Sequence, residues 1–458
     1  MNDFSVFKAV LRRFLFFSCL THLCASQLLE KDILRVFFLS CNGDKWVEHS
    51  NWMVDEVNFC EWNGITCSDD HQSVDKLELR NQNVSCTLPV EIFYLPNLRV
   101  LDLSGNKGVV ADFRHIELSR LGSLKMIFLA DGSTKTLKGI DRAFKNSLIA
   151  LSVAGNLLTG TLPTEVLGLT GLQQLDLSHN FLSGTLSESL GALTDLQTFA
   201  VQHNLLSGPI PSGLSVQSKL CSLSLQFKKF SGTIPSAIGK LSSLTFLSLN
   251  DQGEGGLVGP LIDFADLPNL FTINLANNKL TGTVPSSLLL SVDSNFSPLM
   301  MVDLSGNKLS GAIPSAFTRF ESIRLYLKTN EIDTISPELC NKSNWFFGEV
   351  GEFGCNAILC PPGTFSLFGR QISEGYPCES CRGSGNRHFG GTQCNFTSDR
   401  KNVKESAAST NLFETSSALE SLDEMPSNRT QWRGPRSTRN GHLNNISGEN
   451  MTRLRGIN

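Results

Sequence analysis

The middle of the chain repeats one arrangement of apolar and polar positions every 24 residues. LQQLDLSHNFLSGTLSESLGALTD, which begins at Leu172, is followed directly by LQTFAVQHNLLSGPIPSGLSVQSK and LCSLSLQFKKFSGTIPSAIGKLSS. The shared pattern is LxxLxLxxNxLxGxIPxxLxxLxx. Eleven such units are anchored at Leu77, Leu101, Ile127, Leu151, Leu175, Phe199, Leu223, Leu247, Ile273, Val302 and Leu325. The intervals Leu101 to Ile127 and Leu247 to Val302 are stretched, so we expect loops to bulge there.

Each part of the pattern predicts a structural element. The LxL alternation predicts a short strand whose leucines point inward. The Gly-x-Ile-Pro phrase predicts a turn, after which the chain runs back in extended form. One unit cannot bury its own leucines, so successive units must stack around a continuous core. The expected fold is an α/β solenoid of about eleven repeats with a parallel concave β-sheet.

A polar residue stands at one inward position of every repeat. It is tolerable there only if hydrogen-bonded, because an unpaired buried polar group costs about 1–3 kcal/mol. In most repeats this residue is an asparagine: Asn106, Asn156, Asn180, Asn204, Asn278, Asn307 and Asn330. The same position holds Gln82, Gly132, Lys228 and Gln252 in four repeats. We expect local irregularity at those four places, and we expect Lys228 to turn outward.

The phrase L-x-G-x-[IL]-P resembles the plant-type leucine-rich repeat, and the resemblance covers about residues 28–340. This repeat is similar to that of receptor-like kinase and receptor-like protein ectodomains and of polygalacturonase-inhibiting proteins. The resemblance implies a recognition module: a decoy or co-receptor ectodomain, or an inhibitor of a wall-degrading enzyme. A receptor of this type would carry a membrane helix and a kinase after the repeats, and neither is found.

The first residues have the order of a secretory signal. Lys8, Arg12 and Arg13 precede the apolar run FLFFSCL, and the small residues Ala25 and Ser26 follow it. We therefore predict a signal peptide over residues 1–26. The alternative is a buried amphipathic helix at the start of a cytosolic domain. No segment approaches the ~20 apolar residues that cross a bilayer, so we expect no membrane span.

Residues 27–76 are predicted to cap the first repeat. Helical spacing places Leu28, Leu29, Ile33, Leu34, Phe37 and Phe38 on one apolar face, and Trp46, Trp52 and Trp62 add further apolar surface. The stretch CEWNGITC lies here, and W…C-x-W-x-G-[VI]-x-C resembles the N-terminal cap of plant leucine-rich-repeat ectodomains. The resemblance implies a disulfide between Cys60 and Cys67. A metal site would need more ligands than the nearby His71, and a redox pair is normally C-x-x-C. Cys41 and Cys86 are candidates for a second disulfide.

The repeats are predicted to fill residues 77–339, after which the composition changes. Residues 340–395 are rich in glycine and proline and carry Cys340, Cys355, Cys360, Cys378, Cys381 and Cys394. CPPGTFS…PCESC resembles small cysteine-rich modules next to ephrin-receptor and growth-factor-receptor domains. We expect disulfides here and a cap on the last repeat, with zinc or redox chemistry at CESC as the alternative. Six cysteines allow fifteen pairings. Residues 396–458 are polar and aperiodic, and we predict a disordered tail with a basic end.

Composition and sequence motifs narrow the range of possible functions. Hydrophobic residues make up 40% and the net charge is −4, which does not favour a nucleic-acid partner. Clustered cysteines indicate an oxidising compartment. Potential N-glycosylation triplets begin at Asn83, Asn295, Asn341, Asn395, Asn428, Asn445 and Asn450. No nucleophile, paired-carboxylate, phosphate-loop or metal motif appears, and the His179 to His203 spacing equals one repeat. We therefore expect a secreted, extracellular or cell-wall protein that is not an enzyme and has no cofactor or metal.

Because no catalytic or metal-binding motif appears, ligand binding on the concave face is the function that we consider next. Outward positions of the later repeats are mostly small and polar, and against them Phe227, Phe246, Phe271, Met300 and Met301 stand out as apolar. The residues predicted to bind a ligand are Gln202, His203, Gln226, Phe227, Phe246, Asn250, Asp251, Phe271 and Met301. Exposed apolar groups rimmed by polar ones often mark interaction sites. Alternatively, these side chains fold onto neighbouring strands and bind nothing.

The sequence therefore predicts a secreted recognition module for an extracellular protein, peptide or polysaccharide, with a co-receptor as a further partner. One alternative is a structural matrix or cell-wall protein that adheres through its repeats and basic tail. The other alternative is a truncated ectodomain of a membrane receptor.

Overall fold

The structure is a computed structural model that describes residues 30–116, 123–145, 147–293, 300–381 and 386–394. All of these residues belong to one compact unit, Met1–Thr397. The predicted signal peptide and tail lie outside the described residues. So do Leu28 and Leu29 of the cap and five of the glycosylation triplets, at Asn295, Asn395, Asn428, Asn445 and Asn450.

One long sheet runs through the repeats and confirms the predicted solenoid. Within the described ranges it has 12 strands, of which the first, Ile65–Cys67, is antiparallel to the second and the rest are parallel. The parallel strands are Val74–Glu78, Val100–Asp102, Met126–Phe128, Ala150–Ser152, Gln174–Asp176, Thr198–Ala200, Ser222–Ser224, Phe246–Ser248, Thr272–Asn274, Met301–Asp303 and Arg324–Tyr326.

Ten of the eleven predicted anchors are the middle residues of these strands, Leu77 is the fourth of the five residues of Val74–Glu78, and all stand in register with one another. Leu175 pairs with Phe199, which pairs with Leu223, and the same alignment continues through all eleven units. These three side chains are completely buried. Because successive strand residues point to opposite faces, the anchors face the core and their flanking residues face the concave surface.

Shorter elements complete each repeat on its other side. One four-stranded parallel sheet contains Thr159–Gly160, Phe181–Gly184, Leu205–Gly208 and Lys229–Phe230. A second four-stranded parallel sheet contains Val258–Pro260, Lys279–Thr283, Lys308–Ile313 and Glu331–Ile335. A two-stranded sheet contains Ser85–Thr87 and Gly108–Val110. α-Helices span Glu30–Ser40, Ile140–Phe144, Thr164–Leu167 and Glu349–Phe353. The 3₁₀ turns are Gly43–Lys45, Phe59–Glu61, Val90–Tyr94, Glu188–Ala192, Ser212–Val216, Ser236–Lys240, Ser315–Arg319, Pro337–Asn341, Trp345–Gly348 and Gly354–Ala357.

A ladder of buried amides joins most repeats to the one before it, with interruptions at Gly132 and Lys228. The Asn180 Nδ2 donates to the carbonyls of Val153 in the preceding repeat (2.9 Å) and Leu177 in its own (3.1 Å). The Asn180 Oδ1 accepts from the backbone N–H of Leu158 at 3.0 Å. Gln252 makes equivalent bonds from the same position. The same pattern holds at Asn204, Asn278, Asn307 and Asn330.

The N-terminal cap has the predicted helix and both expected disulfides. The helix Glu30–Ser40 buries Ile33, Leu34, Phe37 and Phe38. The Phe38 ring stacks on Trp52, which also packs against Trp46 and Trp62. Cys60 is bonded to Cys67, and Cys41 to Cys86. Together these rings and bonds cover the open end of the core.

The C-terminal cysteines pair in sequence order and pack on the last repeat. The disulfides are Cys340–Cys355, Cys360–Cys378 and Cys381–Cys394. The Trp345 Nε1 donates to the Phe320 carbonyl at 3.1 Å, and the Thr329 N–H donates to the Gly390 carbonyl at 3.2 Å. The CESC cysteines bond to partners outside that motif, which contradicts the redox-pair and zinc alternatives.

We predict that Asn278→Ala lowers the free energy of unfolding by about 2–3 kcal/mol, measured by urea denaturation. The Asn278 Nδ2 donates to Leu249 and Leu275 carbonyls, each at 3.0 Å, and alanine leaves these buried acceptors unpaired. The matched control is Asn277→Gly, because Asn277 is exposed with a φ of 54° and the next repeat has Gly306 there. The control should change stability by less than about 1 kcal/mol. Equal losses in both variants would contradict the role of the buried amide.

Candidate ligand-binding site

The apolar part of the predicted site lies on the concave sheet of the eighth to tenth repeats. Phe246 begins one strand and pairs with Thr272, which pairs with Met301. Phe271 directly precedes Thr272. All three apolar side chains are partly exposed. Met300 occupies the repeat position of Phe271, one residue before its strand, and was expected to be exposed as well, but its side chain is completely buried.

Two glutamines of the predicted site carry unsatisfied acceptors. Gln202 and Gln226 occupy the same position in adjacent repeats, and both are half-buried. The Oε1 of each is buried without a hydrogen-bond partner among the described residues. An unpaired buried acceptor is costly.

Two other predicted residues, Asn250 and Asp251, use their side chains in hydrogen bonds within the protein. Asn250 is only 6% exposed, and its Oδ1 accepts from the Ser248 hydroxyl at 2.7 Å. Its assignment to a ligand-contacting surface is therefore wrong, because its side chain is used inside the sheet. Asp251 is half-buried and accepts from the Asn277 Nδ2 at 2.6 Å.

His203 and Phe227 belong to a stack of three rings, of which the 24-residue spacing predicts the His179–His203 contact and the third ring, Phe227, is the addition. His179, His203 and Phe227 occupy one position in three consecutive repeats, and both centroid distances are 4.3 Å with nearly parallel planes. The 24-residue spacing of these three residues is the feature of the sequence from which the full stack could be predicted. Burial lowers the pKa of His203, and the charges of His179 and Lys228 add to that effect.

Lys228 follows this stack and contradicts the expectation that it turns outward. It is only 4% exposed, and its Nζ has no hydrogen-bond partner in the described part of the chain. The reason is positional: the residue occupies the amide ladder, where the backbone directs the side chain inward. Burial lowers the pKa of Lys228 to about 7.

Neither a metal site nor a membrane-crossing helix is found in the described ranges. No group of three or more histidine, cysteine, aspartate or glutamate side chains there is arranged to hold a metal ion. No helix within the same ranges has the length and apolar character needed to cross a membrane.

We predict that Lys228→Gln raises the free energy of unfolding at pH 7 by a few kcal/mol. The reason is that the folded protein holds the Lys228 amine where its charged form is unfavourable, whereas the unfolded chain carries that charge freely. Gln252 shows that a glutamine fits the ladder. Above its ordinary pKa of 10.5 the amine is neutral in both states and carries no penalty. As the pH falls from 10.5 to about 7, only the unfolded chain gains the proton, so the wild type loses stability.

The check is urea denaturation of both proteins across that pH range, with exposed Lys229→Gln as the control. The stability gap between Lys228→Gln and wild type should widen toward pH 7 and narrow above pH 10, while the control follows wild type. A gap that does not vary with pH would show that Lys228 is charged and paired in the folded protein.

Comparisons with known proteins concern the repeats and the fold. The family model described as Leucine Rich Repeat matches residues 171–193, 269–289 and 298–320. Two Arabidopsis thaliana proteins are similar over short segments. A receptor protein kinase-like protein is 34% identical over 110 residues, which are 22% of this chain and 14% of that protein. The serine/threonine-protein kinase BRI1-like 1 is 32% identical over 124 residues, which are 26% of this chain and 10% of that protein.

Among solved structures, the leucine-rich-repeat ectodomain of the Arabidopsis receptor kinase HAESA, in complex with an N-terminally extended IDA peptide hormone, has a TM-score of 0.50 and 24% identity. The match covers 66% of this chain and 53% of that one, and it shows a shared fold. The matched segments span only 14% and 10% of the length of the two curated Arabidopsis relatives. The eleven-unit register, the buried amide ladder and these matches together identify the chain as a plant-type leucine-rich-repeat protein.

Proposed function

We propose that this protein is a non-catalytic recognition module that binds an extended peptide across the concave face of its sixth to tenth repeats. The observation that carries the proposal is the pairing of two features on one face. Phe246, Phe271 and Met301 offer partly exposed apolar surface, while Gln202 and Gln226 hold buried acceptors without partners in the described part of the chain. Apolar contact supplies affinity, and unsatisfied acceptors select for N–H donors.

An extended peptide fits this combination better than a compact ligand. Equivalent residues of adjacent repeats lie about 4.8 Å apart, so the five repeats span roughly 20 Å. A peptide of about six extended residues covers that length and presents N–H groups at regular intervals. HAESA was solved with a peptide hormone; in this chain, the same class of ligand is our inference.

The compartment is part of the proposal. Five disulfides within the described residues are typical of proteins that fold outside the cytosol. Asn83 and Asn341, which begin glycosylation triplets, are both exposed. We therefore propose a secreted glycoprotein that acts in the extracellular space or cell wall.

The test is selection of a displayed random-peptide library on the immobilised full chain and on a Phe246→Asp/Phe271→Asp variant. We expect peptides enriched on the parent to bind the variant at least about tenfold more weakly, because the two carboxylates remove the apolar surface. The matched control is Val47→Asp/Val216→Asp, which places the same charges at exposed apolar positions away from the face (73% and 58% exposed).

Equal peptide binding by parent and Phe246→Asp/Phe271→Asp would place the binding site elsewhere. A panel of plant-wall oligosaccharides is tested in parallel. Saturable glycan binding that is lost in the same variant, without peptide enrichment, would replace the peptide by a glycan. Binding that is salt-sensitive and lost on deleting residues 396–458 would favour the structural, adhesive role.

A further inference from the structure

An apolar ridge lies on the edge of the solenoid, beside the concave face. The residue that follows the ladder position is exposed and apolar in three consecutive repeats: Leu157 (38% exposed), Phe181 (52%) and Leu205 (59%). At the same position the other repeats have mainly lysine or small polar residues: Asn83, Lys107, Ser133, Lys229, Gly253, Lys279, Lys308 and Glu331. The apolar character is therefore bounded on both sides and is not a general feature of the repeat.

The ring stack forms the second row of this ridge. His179, His203 and Phe227 precede the same ladder position, so one ladder residue separates His179 from Phe181 and His203 from Leu205. Because the ladder side chain points inward, the residues on both sides of it point out together. We call Leu157, Phe181, Leu205 and the three stacked rings the edge ridge.

Phe227 is held there in an unfavourable backbone conformation. Its φ is 55°, in the left-handed region, and it is 45% exposed. Other repeats have glycine at the same position, as at Gly155, or polar residues that tolerate this conformation, such as Asn277. Conformations of this kind in a bulky residue concentrate at functional sites. Folding alone does not require an exposed phenylalanine at this place.

The charges next to the ridge indicate what covers it. Lys229 continues the row of Leu157, Phe181 and Leu205, and Lys279 and Lys308 follow two and three repeats later. All three lysines are exposed. Asp131 and Asp251 lie in the other row, where Asp251 already accepts a bond from Asn277, and Glu331 follows Lys308 at the far end of the lysine row. A partner with an apolar segment followed by carboxylates complements this row.

The size and shape of the ridge argue against two other occupants. It spans four repeats, or under about 20 Å, which is too small for the roughly 800 Å² per partner that a stable dimer buries. A sugar stacks on open ring faces, but both faces of His203 are covered by its neighbours in the stack. Leucine side chains and ring edges instead suit aliphatic and aromatic side chains.

We propose that the edge ridge is a second binding surface, which docks an acidic-apolar segment of a partner protein. The partner's apolar side chains pack on Phe181 and Leu205, and its carboxylates pair with Lys229 and the lysines beyond it. The surface is separate from the apolar concave site at Phe246 and Phe271. Its two defining residues, Phe181 and Leu205, belong only to the ridge.

The experiment selects a displayed random-peptide library on the full chain, with counter-selection on a Phe181→Asp/Leu205→Asp variant. We expect enriched peptides with an apolar core followed by aspartate or glutamate. Leu205→Asp alone should raise their Kd at least about tenfold. Lys229→Glu should raise it about threefold to tenfold and reduce its salt dependence. Val216→Asp, at an equally exposed apolar residue outside the ridge, should leave the Kd unchanged.

Circular dichroism and melting temperature are measured for each variant, because an unfolded variant would lose binding for a trivial reason. Binding of these peptides to Phe246→Asp/Phe271→Asp at wild-type affinity would separate this surface from the concave site. The proposal is overturned if no peptide is enriched, or if enriched peptides carry no acidic bias. It is equally overturned if an acidic oligosaccharide such as oligogalacturonate binds in a Phe181- and Leu205-dependent manner while no peptide does.

Discussion

The hydrogen bonding of one buried amide side chain in most repeats is the constraint on which this structure depends. A turn of the solenoid buries backbone carbonyl and amide groups that neither the concave sheet nor the shorter strands satisfy. The ladder amide donates to carbonyls of its own and the preceding repeat and accepts a backbone N–H, as at Asn180. It thereby fixes the spacing between units, and the leucine core closes around it. Lys228 has no acceptor atom to offer at this position.

That constraint also decides which side chains are free to carry function. Where the ladder residue points inward, the residues before and after it must point outward, and the strand positions flanking each anchor must face the concave surface. Equivalent residues then stand in rows at the repeat spacing. Neither the core nor the ladder contacts the outward atoms of these rows, so their composition can vary without changing the fold. The stack of His179, His203 and Phe227 and the row of Leu157, Phe181 and Leu205 are two such local variations.

The sequence predicts the structure correctly where a residue type at a given repeat position has only one stable placement. All eleven anchors lie in the strands of the long sheet, and the Cys60–Cys67 bond is the one that the resemblance of the cap implied. It failed where residue type and position conflict. Lys228 was expected outside because lysine is charged, but its position directs it inward. Met300 was expected outside as part of an apolar pair, although only Met301 of the two is partly exposed.

The sequence by itself determined the solenoid, the inward leucines, the amide ladder and the cysteine-stapled ends, because each follows from a periodic pattern or a local spacing. Tertiary structure alone decided which outward side chains meet. It stacked the rings of His179, His203 and Phe227, left the Gln202 and Gln226 acceptors without partners among the described residues, and joined the six C-terminal cysteines in three pairs. The reason is that these contacts join residues whose spacing carries meaning only after the repeats have stacked.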